Sequence, residues 1–416
     1  MLLGPLILLA GVSSADDALP MCDIAAEKRR SVQVLTTSPG SSVDKIFGHT
    51  AILVYEPDRG EGSVVFDFGF FDTDDPALVL DVLRATQDYK VVTHTLAHVR
   101  GRLDEQGRGA VLQRLDLDPT AGRATHLALV DIVQNHPVFR YNWYGPNCTT
   151  RAADLIDEVM DGALEPQHQG ASGLSAATQV LRHSAPHWPL WFGLHWGSGR
   201  VADVELSWWD AMFLPQTFMA RLRESTLERG GLARPLVAAE CRLAVAKRPE
   251  PLHEAPNRDL LLGGVGLAVG AGIAGISALS RRFGVLAVGL FGVGIGLFGA
   301  AALLVSLLGT FAPFWGNHNL WFASPVSGLL AVAALYEHRH PGADLATRLA
   351  VGVLAVAGLG FVASAIHGFT DRNLGIAGLV FPALVACLWV LSRPPLRGPR
   401  TPRLQTTPTP EDTTAR

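Results

Sequence analysis

Cys148, His49 and Asp67 are the side chains whose types and settings suit covalent catalysis. Cys148 follows Asn147, and apolar residues then recur at Ala152, Leu155, Ile156, Val159 and Met160 on helical spacing. Asn147 is therefore the expected N-cap, with Cys148 in the first turn. The positive end of a helix favours thiolate over thiol. Donors around Asn147 and Thr149 would also serve an oxyanion, should the thiolate attack a carbonyl. Such a nucleophile needs an acid–base partner, usually histidine. His49 follows Phe47-Gly48 at the start of a β-branched run, and Asp67 lies on the next such run, where it could orient the imidazole.

Each residue also has a plainer reading. Cys148 would pack as a small apolar group, His49 would be a hydrogen-bonded strand-end histidine, and Asp67 a turn residue before Gly69. His94, His98 and His136 are other candidate bases, but none opens a comparable strand. Tyr141, Asn142 and Arg151 flank the cysteine as candidate substrate contacts. No His/Cys spacing of the zinc type appears, so neither metal nor cofactor is expected.

Short strands and helices must position these groups. Ser31–Thr36, His49–Tyr55 and Ser63–Phe68 read as strands, and Pro57-Asp58-Arg59-Gly60 supplies the turn of a hairpin between the last two. Lys90–Leu96 and Val111–Leu117 are weaker strand candidates. Pro119 can start a helix continued by Leu129, Ile132 and Val133. Between Trp188 and Phe218 the chain is rich in tryptophan. Trp188, Trp191, Trp196, Trp208 and Trp209 suit either a membrane interface or a packed aromatic core.

Charged residues are 17% of the 416 and crowd before Asp259, whereas Leu260–Ser392 is mostly apolar. The net charge of −4 gives no basic face for nucleic acid. Apolar stretches at about Leu260–Ser280, Gly284–Leu308, Leu320–Tyr336, Arg348–His367 and Leu374–Ser392 predict five spans, the third short and open to a re-entrant path. Arg281-Arg282, His338-Arg339, Arg348 and the arginines after Ser392 fall on one side. The loops Pro313–Asn319 and Phe369–Asn373 hold one basic residue, Arg372. The positive-inside rule then puts the N-terminal domain outside the cytoplasm. Asn317, His318 and Asn319 lie at the outer boundary, to bind a substrate headgroup or merely to solvate a loop, and His367 has the same two readings.

The expected organisation is a signal segment over 1–15, a catalytic domain over 22–245, a linker over 246–258, spans over 259–392 and a disordered cytoplasmic tail over 393–416. Cys22 and Cys241 lie near the two ends of the soluble domain, and whether they pair is open. If they do, Cys148 is an unpaired thiol in an oxidising compartment. Cys387 sits within the last span as a packing residue.

Phe47-Gly48-His49-Thr50-Ala51, Phe66-Asp67-Phe68-Gly69, Tyr141-Asn142 and Asn147-Cys148-Thr149-Thr150-Arg151, in that order, resemble the N-terminal periplasmic domain of the bacterial lipoprotein N-acyltransferase family, Lnb. Gly197–Phe218, with Ala202-Asp203 and Met212-Phe213-Leu214-Pro215, is similar to that domain's closing segment. Asn317-His318-Asn319-Leu320 is similar to an outside loop before a span. At Asp67 the family pattern more often has asparagine. The resemblance implies an α+β fold, a circularly permuted papain-like domain with histidine before cysteine, followed by about five transmembrane helices in the inner membrane. It further implies acyl transfer through a Cys148 thioester, His49 acting as base. The donor would be a diacylglyceryl-modified lipoprotein or a membrane phospholipid, and the acceptor a lipoprotein α-amino group. A membrane-anchored thiol hydrolase would use the same pair with water as acceptor. A receptor or scaffold would leave Cys148 structural.

Overall fold

The computed structural model describes residues 18–72, 81, 84, 86–248, 251–309, 312–368 and 371–394. The expected signal segment and the tail after Arg400 lie outside them, as does the side chain of His367. Two compact units result. The first holds the described residues up to Leu260 together with Ala300–Leu320 and Ser364–Ile376; the second holds Leu261–Gly299, Trp321–Ala363 and the chain from Ala377 onward.

The first unit is built on a seven-stranded sheet. Its strands are β1 (Ser31–Thr37), β2 (His49–Tyr55), β3 (Val64–Phe70), β4 (Asp88–Thr95), β5 (Ala110–Leu115), β6 (Val138–Arg140) and β7 (Val237–Ala244), in the order β7-β5-β1-β2-β3-β4-β6. Every pairing is antiparallel. The central strands β1 and β2 are buried on both faces. Successive residues of a strand point to opposite sides, so two cores form. Val32, Val34, Ile52, Val54, Phe66 and Phe68 face one core. Leu35, Ala51, Leu53, Tyr55 and Val65 face the other. Full burial of a side chain such as Ile52 or Leu53 contributes roughly 1.5–3 kcal/mol.

Helices close both faces. α1 (Leu96–Gln106) supplies Leu96 and Leu103 to the second core. α2 (Pro119–Asn135) starts at Pro119 as expected, capped by Asp118, and joins the first core through Leu129. α3 (Cys148–Val159) buries Ala152, Ala153, Leu155 and Ile156 there. α4 (Ala176–Ser184) and α5 (Trp188–Gly197) pack on each other, and α6 (Pro215–Glu224) adds Phe218 and Leu222 to the first core. A Cys22–Cys241 disulfide ties the N-terminal segment to β7, which decides the pairing left open above. Trp191 and Trp196 are buried, as the packed-core reading expects, whereas Trp188 is exposed with Arg258 over its ring.

Five helical stretches are long and apolar enough to cross a membrane. They are α7 (Asp259–Leu279), α8 (Arg281–Leu308), a third stretch ending in α9 (Leu329–Arg339), α10 (Asp344–His367) and α11 (Asp371–Ser392). The third departs from a continuous span. A short helix at Asn319–Phe322 stops, Ser324 caps a tight turn over Pro325–Gly328, and only then does α9 begin. Pro325 lacks the amide that a through-going helix needs. Within the second unit, Gly266 of α7 lies so close to α11 that a Cβ there would meet the Gly378 carbonyl oxygen at 2.2 Å, the small-residue packing typical of membrane helices. Arg281 is bonded to the fully buried Glu337 at 2.7 Å.

Candidate functional site

Cys148 is the first residue of α3, and local chemistry puts it there. Asn147 is extended and its Oδ1 accepts from Thr149 N–H at 2.8 Å and Thr150 N–H at 3.0 Å. Asn147 N–H in turn donates to Thr150 Oγ1 at 2.9 Å, completing a capping box. The Asn147 Nδ2 donates to the carbonyls of Trp143 and Phe213, both at 3.0 Å. Asn147 and the Thr149 amide are thus held within the fold, which corrects the expectation that they supply oxyanion donors. Their role is the cap of the helix that Cys148 begins.

His49 opens β2, and glycine prepares its seat twice. Gly48 has φ +83°, and a Cβ there would stand 2.7 Å from the Thr37 carbonyl oxygen. Gly69 lies beneath the imidazole, where a Cβ would come within 2.4 Å of His49 Cε1. The strand expected to end at Gly69 runs through it to Phe70, with its pairing to β4 irregular between Asp67 and Phe70. His49 Nε2–H donates to Asp67 Oδ1 at 2.8 Å, and Gly69 N–H donates to the same oxygen at 2.8 Å. With Nε2 committed, Nδ1 is the ring nitrogen left for Cys148. Below them, the buried hydroxyls of Thr50 and Thr149 meet at 3.2 Å and pin β2 to α3.

The electrostatics follow from this packing. Burial by itself would lower the basicity of His49, but the Asp67 carboxylate and the Cys148 sulfur outweigh it and raise the imidazole to about 10. Burial would raise Asp67, yet His49 and the Gly69 amide bring it down to about 2. For Cys148 burial also works against the anion. His49, with hydrogen bonds from Thr50 and Thr149, wins and lowers the thiol below its ordinary value. Both shifts run in the direction that favours a thiolate–imidazolium pair.

A cleft opens over this pair. One wall is a stack in which Tyr89 lies 4.7 Å from Phe71 and 4.0 Å from Tyr141. Opposite are Phe47, Trp143, Val180 and Phe213 to Pro215. Tyr141 is therefore at the site, as its place in the sequence suggested. Asn142 is not: it accepts from Tyr144 N–H at 3.0 Å and shapes the turn before the cap. Arg151 points away, its guanidinium over Phe139. Asn317 and Asn319 are buried and hold backbone carbonyls of residues 195–197, so they act neither as headgroup ligands nor as loop solvation. His318 lies between them, outside the cleft lining.

Of the other histidines, His94 stands 4.0 Å from Asp67 Oδ2 and stacks on His98. His136 ends α2. Tyr89, Phe71, Val180 and Phe213 escaped the sequence reading. Phe213 carried the one usable signal, its place in the Met212-Phe213-Leu214-Pro215 motif.

Residues 23–182 match the family described as the Lnb N-terminal periplasmic domain. The match takes in β1 to β6, α1 to α3 and most of α4, and so holds His49, Asp67 and Cys148. Neither a curated protein nor a solved structure matches the chain. Together with the five apolar helices, the match supports a membrane protein whose N-terminal part is similar to that periplasmic domain.

Proposed function

We propose that the protein is a lipoprotein N-acyltransferase that works through a thioester on Cys148. The observation that carries the reading is Cys148 at a helix N-terminus, sharing an aromatic-lined cleft with the Asp67-bonded His49, within the segment that matches a periplasmic domain.

The Cys148 thiolate attacks an ester carbonyl of a diacylglyceryl-modified lipoprotein. The Cys148 N–H and the helix dipole stabilise the oxyanion. As the intermediate collapses, the C–O bond breaks and His49 gives its proton to the leaving glyceryl oxygen. The lipoprotein α-amino group then attacks the thioester, His49 accepts the amine proton, and the thiolate leaves with an N-acyl, lyso-glyceryl product behind it. Ester to thioester to amide balances without nucleotide or metal. Donor ester and acceptor amine on one molecule would gain from proximity. The aromatic and aliphatic walls of the cleft suit an acyl chain.

The test is mass spectrometry of lipoprotein N-termini from cells carrying the wild type, Cys148→Ala or no copy. The expected result is N-acylated, lyso-glyceryl cysteine with the wild type alone. Unaltered N-termini in all three would sink the proposal. Release of free fatty acid without N-acylation would assign a hydrolase.

A further inference from the structure

Arg372 is the basic residue in the loops expected to face outside, and in the structure it is buried. Its Nη1 donates to the Ser198 carbonyl at 3.0 Å, its Nη2 to that of Gly199 at 3.2 Å, and it forms an ion pair with Asp203. Neighbouring asparagines continue the pattern. Asn317 Nδ2 donates to the carbonyls of Trp196 at 2.9 Å and Gly197 at 3.1 Å. Asn319 Nδ2 donates to those of His195 and Trp196, while Asn373 Nδ2 donates to Asn319 Oδ1 at 2.9 Å. Every carbonyl from His195 to Gly199 therefore receives a side-chain donor from Asn317, Asn319 or Arg372. A helix ordinarily leaves its last carbonyls unsatisfied, with partial negative charge. Here the end of α5 is capped by one cation and two amides drawn from the far part of the chain, all within the first compact unit. Gly199 permits the approach, since a Cβ on it would stand 1.9 Å from the Trp315 carbonyl oxygen. Burial and the Arg372 charge hold the adjacent His195 down at about 3, so that its ring is neutral.

This clamp adjoins the cleft on two sides. α5 packs on α4. α4 puts Val180 into the cleft lining and sets His183 against Phe47, two residues before His49. On the other side, Tyr144 lies in the field of Arg372 and Asp203 and packs on Phe213, whose side chain belongs to the cleft lining.

We propose that Arg372 is a positioning residue for acyl binding: with Asn317 and Asn319 it fixes the C-terminal end of α5, and through α4 and Phe213 it sets the cleft wall that receives the chain. This rests on the acyl-transfer reading for the nature of the ligand only. Residues beyond the soluble domain then support the binding wall from behind, while the Cys148–His49 pair is built without them.

The test uses the full-length protein in lipid nanodiscs and two thiol probes, iodoacetamide and N-hexadecyl bromoacetamide. In Arg372→Gln, iodoacetamide should label Cys148 at a rate and pH dependence within about two-fold of wild type. The long-chain probe should slow by about ten-fold or more, because small misplacements of a binding wall cost that much. Arg372→Lys, which keeps the charge but loses the two-pronged bond, should fall between. The exchange Asp203→Arg/Arg372→Asp should recover part of the long-chain rate. Equal slowing of both probes in Arg372→Gln and Arg372→Lys, or no slowing of either, would overturn the proposal. The probes do not depend on transfer. If the wild type fails to N-acylate lipopeptide while chain selectivity still falls in Arg372→Gln, the reaction is wrong and the positioning role stands. If N-acylation proceeds and Arg372→Gln keeps its kcat/KM, the positioning role is wrong and the reaction stands.

Discussion

The His49 imidazole reaches Asp67 on the neighbouring strand, Nε2 to Oδ1 at 2.8 Å, by lying flat over Gly69. Three residues on two strands thereby settle the ring's direction, its charge and the nitrogen it offers to Cys148. Replacing Gly69 by alanine puts a methyl group where the ring lies. We expect Gly69→Ala to fold but to lose transfer by about a hundred-fold, as misplaced reacting groups do. Steady-state kinetics on a synthetic diacylglyceryl lipopeptide, beside a thermal melt, check this. A variant with wild-type turnover would show that the ring need not lie there.

Asp67 is the acceptor that fixes the His49 ring. Asp67→Asn keeps a side-chain oxygen for the ring but removes the negative charge that helps hold His49 near 10. His49 should then fall and the Cys148 thiol rise. Transfer at neutral pH is expected to drop by about ten-fold, against a hundred-fold or more for Asp67→Ala, which loses orientation as well. Equal losses in the two variants would mean that charge, not orientation, is what Asp67 supplies.

The pH dependence of Cys148 alkylation has a definite sign. Because the thiol is lowered, the thiolate should form below the ordinary cysteine range, and reactivity should rise with pH to a plateau. Transfer should follow the same rising limb and then fall near pH 10, where His49 loses the proton it gives to the leaving oxygen. The two limbs belong to the coupled pair rather than to either residue alone. In His49→Ala the main group opposing burial is gone and only Thr50 and Thr149 still favour the anion, so the alkylation limb should move to higher pH.

Stability should respond to pH with opposite signs at the two partners. Asp67 is depressed to about 2, so its contribution is present above its unfolded value of 3.8 and fades as pH falls through 2. His49 is raised to about 10, so its contribution is present below 6.5 and fades as pH rises through 10. Thermal melts of wild type against His49→Gln across this range should converge at the alkaline end. A constant difference there would contradict the assigned shift.

The Cys22–Cys241 bond closes a loop with a sequence separation of 219. Cys22→Ser/Cys241→Ser should destabilise the domain by about 2–4 kcal/mol. The alkylation profile of Cys148 should be unchanged, since neither sulfur touches the cleft lining. Denaturant titration with fluorescence detection, beside iodoacetamide rates, separates the two effects.

What was legible in the sequence was what local chemistry decides. Asn147 is a cap because its short amide suits helix N-termini, and the helix it starts fixes Cys148 in the first turn. The β2–β3 hairpin was visible from its turn residues, and its pairing brings His49 to Asp67. The site's walls were not visible. Tyr89 and Phe71 gain meaning only by stacking across strands, and Val180 only because α4 folds back over the cleft. Asn317 and Asn319 were placed at the right boundary, but a polar residue there reads the same whether it binds a ligand or caps a distant helix. Arg372 stood out by charge alone, and its partner Asp203 is far away in the chain.

The order of the cysteines along the chain has a consequence for the biogenesis of an exported domain. Cys148 lies between the two partners of the disulfide, so a chain emerging N-terminus first offers an oxidant Cys22 and Cys148 before Cys241 has appeared. In that unfolded chain the Cys148 thiol is as open to an oxidant as Cys22, and the two could bridge prematurely. The nascent protein must therefore either pack α3 on β2, through the Thr50–Thr149 contact, before oxidation begins, or exchange a wrong bridge for the right one once β7 arrives.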